Sequence, residues 1–218
     1  GVQRWQVQLG GGCSGALVGP RHIVTAAHCL YSRTNAAFFD DYTARAGANG
    51  TSQRAQVVID RDNIPAGQIL WKFAHAEYIN QGGSRFDFGI LVTPQRIGGS
   101  GAGKAGCFDG QCWFGYVTYS DAATSNINFW RRGYPLCSAT SNGTPRIDEP
   151  CQTGTWDANQ TCTDKPCDAN HLYGPDISCR AGEFQSADGS GWNRQLHHAC
   201  DASAGDSGSV LYHKNTTF

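Results

Sequence analysis

The chain has 218 residues, 39% hydrophobic and 16% charged, enough apolar side chain to bury a core and too much for a disordered segment. Lys plus Arg (17) nearly balances Asp plus Glu (18), so no basic field suits nucleic acid or an anionic membrane surface. No apolar run approaches the roughly 20 residues that a membrane-spanning helix needs.

The 28 glycines and 8 prolines favour short strands joined by turns. "RWQVQL", residues 4–9, alternates and predicts a first strand. "CSGALVGPRHIVTAAHCL" then reads as a strand over 15–18, a Gly-Pro turn, a strand over 22–25 and a short helical turn over 26–30. "AQVVID", 55–60, predicts another strand. "DFGILVTP", 87–94, predicts a buried strand that Pro94 stops, because proline has no N–H for a central ladder. "GGSGAGKAG", 98–106, has the composition of a flexible connection between two halves. "CWFGYVTYS", 112–120, predicts an aromatic-rich strand, and "SGSVLYH" a strand leaving Ser207. No amphipathic helix longer than about three turns is expected.

Ten cysteines are many for this length, and none shows the Cys-x-x-Cys spacing of a zinc ribbon. Disulfides in an oxidising compartment are the expectation, with Cys107/Cys112 and Cys162/Cys167 the closest pairs. Asn-x-Ser/Thr sequons at Asn49, Asn142, Asn159 and Asn215 point the same way. No leader-like run opens the sequence, so it reads as a processed, secreted chain. Residues 137–180, rich in cysteine and poor in apolar periodicity, read as a disulfide-stapled surface insertion. The adjacent His197 and His198 would face opposite sides of a strand and not share an ion, so no metal site and no cofactor are expected.

Three residues carry the chemistry. A serine hydroxyl is a poor nucleophile at neutral pH and needs a base, and the base needs a third group to hold its tautomer. Ser207 in "GDSG" is the candidate nucleophile, with glycines that permit a tight turn. The backbone N–H groups of Gly205 and Ser207 can converge on a developing oxyanion. His28 in "VTAAHC" is the candidate base, where small residues allow a tight turn and Cys29 can bridge back to Cys13. Asp87, entering an apolar strand, carries a desolvation cost that a histidine N–H would offset, which makes it the candidate orienting acid.

"CSGALVGPRHIVTAAHC", "DFGILV" and "GDSGS" stand in the order His–Asp–Ser, and with them the chain resembles the chymotrypsin-like serine proteases. "GYP" at 133–135 and "CDASAGDSGSVLY" at 200–212 resemble the secreted V8-like, glutamyl-endopeptidase branch. The resemblance covers residues 4–136 and 195–212. It implies an all-β fold of two antiparallel six-stranded β-barrels with the triad between them. Residues 1–97 would form the first barrel and 98–218 the second, with the insertion at about 137–180. Few residues follow Ser207, so the second barrel is expected to be incomplete in this chain, either finished by a separate C-terminal segment or cut short because the sequence is truncated.

The implied activity is peptide-bond hydrolysis on a protein or peptide substrate. Asp201 stands six residues before Ser207, where trypsin-like members carry the pocket aspartate, which favours Arg or Lys before the cut. V8-like members with "CD" ahead of their serine motif can prefer Glu, and that alternative stays open. The other readings are a catalytically idle, protease-like binding protein and a cysteine-rich structural protein with a coincidental triad.

Overall fold

The computed structural model describes residues 2–10, 12–40, 42–48, 53–59, 70–115, 128–131, 133–134, 179–186, 194–198, 207–209 and 211–212. A 3-10 turn at Val2–Trp5 leads into β1 (Gln6–Leu9), followed by β2 (Cys13–Leu17) and β3 (His22–Thr25). A second 3-10 turn, Ala27–Cys29, precedes the short pair β4 (Tyr31–Ser32) and β5 (Ala37–Phe38). Next come β6 (Tyr42–Ala46), β7 (Ala55–Ile59) and β8 (Trp71–Ala74). The helix α1 (Ala76–Gln81) and a 3-10 turn at Ser84–Phe86 lead to β9 (Gly89–Val92). Further along are β10 (Asn128–Arg131), β11 (Cys179–Ser186), β12 (Arg194–His198) and β13 (Leu211–Tyr212).

The described fold is all-β and antiparallel. Seven strands form one sheet in the order β7-β6-β1-β2-β3-β9-β8, and four form another in the order β12-β11-β10-β13. Alternation sets the first core. Val7 and Leu9 of β1, Ile23 of β3 and Leu91 of β9 are fully buried or nearly so, and β2 is buried along its whole length. Trp5, Leu17, Leu30 and Ile97 join the same cluster. Thr25 of β3 lies opposite Gly89 of β9, and this register matters for the site.

Four expectations change in detail. The first strand starts at Gln6, because Arg4 and Trp5 turn aside to donate to the carbonyls of Cys107 and Gly106 at 2.6 and 3.0 Å. The strand expected over 87–94 is confined to Gly89–Val92: its ladder partner β3 ends at Thr25, and Phe88 is exposed. Of the strand expected over 112–120, residues 112–115 form no strand, and 116–120 lie outside the described residues. Trp113 and Phe114 pack on the first core instead, with Phe114 edge-on to Trp5 at 5.3 Å. The glycine-rich segment 98–106 folds back as a set of bonded turns. Ala105 is fully buried and donates to Ile97 at 2.7 Å, and Gly106 donates to Gly99 at 2.9 Å. Glycine serves turning and close packing there, a use that composition cannot tell from a linker.

Candidate active site

His28 owes its place to the end of β3. Ala26 is extended, and Cys29 and Leu30 donate back to the carbonyls of Ala26 and Ala27 at 3.1 and 2.9 Å, closing a tight turn. Ala26, Ala27 and Cys29 are buried while the His28 ring is 42% exposed, so the turn sinks its small residues and presents the imidazole. A disulfide joins Cys29 to Cys13 at the start of β2, fastening the turn to the strand beside it.

Asp87 reaches His28 through the sheet register. Gly89 pairs with Thr25, so the residue two before the one and the residue three after the other meet at the same end. Gly89 permits the close approach: a Cβ there would lie 2.6 Å from the Phe73 carbonyl and 3.4 Å from Ala27 Cα. Asp87 Oδ1 accepts the backbone N–H of His28 at 2.8 Å, and Oδ2 faces His28 Nδ1 at 2.6 Å. An ionised carboxylate only accepts, so Nδ1 carries the proton in the neutral ring and Nε2 is left as the basic nitrogen.

The electrostatics agree with this tautomer. The hydrogen bond to Asp87 holds His28 above its ordinary value of 6.5, burial pulls the other way, and the carboxylate charge adds to the rise. For Asp87 burial pushes upward, but hydrogen bonds from the His28 ring and backbone, its charge and the Ala27 N–H outweigh it, leaving the acid below 3.8.

The Ser207 turn docks on the same end of the sheet. Its carbonyl accepts the Ser14 N–H at 2.8 Å, and Cys29 Sγ lies 3.7 Å from that oxygen. A bridged sulfur has no proton to donate, so the second contact is packing. Gly208 has φ +83°, the left-handed region, and a Cβ there would strike Thr25 Oγ1 and the Ser14 carbonyl and sit 2.7 Å from Ala26 N. The "SG" of the motif is therefore fitted against the residues that lead into His28.

Asp201, Gly205, Asn49, Asn142, Asn159 and Asn215 lie outside the described residues, as does most of the segment 137–180. Of the two closest cysteine pairs, Cys107–Cys112 is bridged and Cys162/Cys167 lies outside the described residues. Donor atoms of Cys13, His28 and Cys29 lie within 4.8 Å of one another, but the two sulfurs are bonded to each other and are not thiolate ligands. Among the described residues no helix is long and apolar enough to cross a membrane.

Sequence reasoning missed two contributors. Ser14 sits between the regions just described, and its Oγ accepts the backbone N–H of Tyr134 at 2.7 Å. Tyr134, in the "GYP" motif, is fully buried, and its hydroxyl donates to the Ala48 carbonyl at 3.2 Å. The quoted motif pointed to Tyr134. Nothing local points to Ser14.

A family model for trypsin matches residues 1–84, a stretch that includes His28 and ends before Asp87. A glutamyl endopeptidase from Bacillus licheniformis is 28% identical over 126 residues, covering 57% of this chain and 33% of that protein; the chain thus spans about a third of the relative's length. Among solved structures, a Glu endopeptidase in complex with MPD aligns with TM-score 0.59 and 16% identity, covering 97% of this chain and 74% of the other. A thermostable serine protease, AL20, from an extremophilic microorganism gives 0.52 and 15%, covering 96% and 77%. Protease Anisep from Arthrobacter nicotinovorans gives 0.51 and 14%, covering 100% and 81%. The chain is similar to the chymotrypsin-like serine proteases in sequence motif and in fold. A V8-like glutamyl endopeptidase is among its relatives.

Proposed function

We propose that this chain is a secreted serine endopeptidase in which Ser207, His28 and Asp87 act as one triad between two β-barrels. The observation that carries this reading is the two-point contact of Asp87 with His28, on the same end of the sheet where the Ser207 turn docks. In this scheme Ser207 Oγ attacks the scissile carbonyl carbon while His28 Nε2 takes the hydroxyl proton. Asp87 keeps the ring oriented and stabilises the imidazolium. The N–H groups of Gly205 and Ser207 receive the oxyanion. Collapse breaks the C–N bond, and the leaving amine takes the proton from His28. Water, deprotonated by the same nitrogen, then adds to the acyl carbon; the ester C–O bond breaks, the acid leaves, and Ser207 Oγ takes the proton back from His28.

For specificity, Asp201 stands six residues before Ser207, where trypsin-like members carry the pocket aspartate, and in that role it would favour cleavage after Arg or Lys, because a cationic side chain offsets a buried carboxylate. The glutamyl endopeptidase match favours cleavage after Glu instead. The sequons and disulfides support a secreted glycoprotein. The competing reading is an idle protease-like binding protein.

The test is a peptide-library digest by the full chain, by Ser207→Ala and by His28→Ala. Cleavage should fall on the order of 10⁴-fold or more in each variant, and the double variant should be little worse than either, since such residues act as a unit. The residue before the cut decides between Arg/Lys and Glu. No turnover by the unmodified chain favours the idle reading.

A further inference from the structure

We propose that Ser14 is a positioning residue for Ser207, an inference that rests on the protease reading above. Ser14 is fully buried in β2, one residue after the Cys13 end of the disulfide. Three of its polar groups reach three parts of the chain distant in sequence. Its N–H donates to the Ser207 carbonyl at 2.8 Å. Its Oγ accepts the Tyr134 N–H at 2.7 Å. Its carbonyl accepts the Thr25 hydroxyl at 2.7 Å, beside the turn that presents His28.

A buried serine is suited to this. An apolar residue could supply the N–H and the carbonyl, but only a hydroxyl or similar group satisfies the buried Tyr134 N–H, and a buried donor without a partner is costly. Tyr134 cannot easily move to find another partner, because its ring is fully buried and its hydroxyl is tied to Ala48. Loss of the hydroxyl therefore has to be relieved by displacing β2 at residue 14 or the backbone at 134. The same peptide of Ser14 holds the Ser207 carbonyl, so the displacement passes to the nucleophile. His28 and Asp87 are bonded to each other and Asp87 comes from the β9 side, so the base keeps its partner and its pH dependence when β2 shifts. Small displacements of a nucleophile cost rate steeply while leaving substrate binding alone.

The experiment uses the full chain with Ser14→Ala, Ser14→Gly and Ser14→Thr, which keeps an oxygen acceptor. Turnover of a peptide substrate and labelling of Ser207 by a small organophosphonate are followed against pH, with amide exchange at Tyr134 measured beside them. The Ala and Gly variants should lose roughly tenfold in kcat and in labelling rate, with KM and the pH midpoint unchanged. The Thr variant should recover most of the rate, and exchange at Tyr134 should quicken in Ala and Gly. Ala or Gly variants that keep the unmodified rate overturn the proposal. A loss accompanied by a moved pH midpoint also overturns it, because it marks damage to the His28 corner. A Tyr134 amide that exchanges freely in the unmodified protein overturns it with no variant needed. If the unmodified chain neither cleaves nor labels, the protease reading fails, while Tyr134 protection still reports whether the clamp exists.

Discussion

His28 and Asp87 are joined directly to each other at one end of a single sheet, whereas Ser207 is held by its backbone, through residues far from it in the chain. The first region is assembled by register: Thr25 opposite Gly89 brings the turn and the acid together, and the disulfide to Cys13 fixes the turn. The second region is a turn whose carbonyl and glycine fit a notch made by Ser14, Thr25 and Ala26. The difference separates two kinds of failure. Damage to the first region should change how activity depends on pH. Damage to the second should change rate alone.

Asp87→Asn breaks the first region and gives the largest effect expected from that comparison. Activity should fall by about 10²–10⁴-fold, because the ring loses its tautomer and orientation. The hydrogen bond and charge that raise His28 disappear while burial, which lowers it, remains, so the midpoint of the residual pH–rate curve should move down. Stability should report the same pair. A raised His28 contributes stability fully present below 6.5 and lost as pH rises through the raised value. A lowered Asp87 contributes stability present above 3.8 and lost as pH falls through its depressed value. Both hold together between those limits, so thermal unfolding of the variant should trail the unmodified protein most near pH 5 to 6, by about 1 kcal/mol or less for so exposed a pair, and less as pH rises through the raised His28 value or falls through the lowered Asp87 value. A midpoint that stays in place would separate Asp87 from the base.

Replacing Cys13 and Cys29 together by serine sharpens the comparison, since the bridge serves the His28 turn and also touches the Ser207 carbonyl. The sequence separation is 16, and closing a loop of that size contributes about 3 kcal/mol. Urea unfolding should show a loss of that order, with a smaller loss of rate and a pH midpoint that moves, though less than in Asp87→Asn. An unfolding curve identical to that of the oxidised protein would remove the bridge from the account.

What could be read from the sequence follows from locality. The strand over His22–Thr25, the turn at His28 and the glycine-framed serine each carry their signal within a few residues, so they were legible. Ser14 was not, because its partners at 134 and 207 are set by tertiary packing and one serine in "CSG" looks like any other. Segment 98–106 misled for the opposite reason: its composition suits a linker, but Ala105 and the bonds to Ile97 and Gly99 pin it to the core. Asp87 was legible as a candidate, though it lies two residues before its strand begins.

The most direct measurement of the central claim is covalent labelling of the native full chain by an organophosphonate, with the adduct located by peptide mass mapping. The account predicts one adduct, on Ser207, formed by the native chain and lost in urea and in His28→Ala. No adduct, or adducts spread over other serines and unaffected by unfolding, would contradict it.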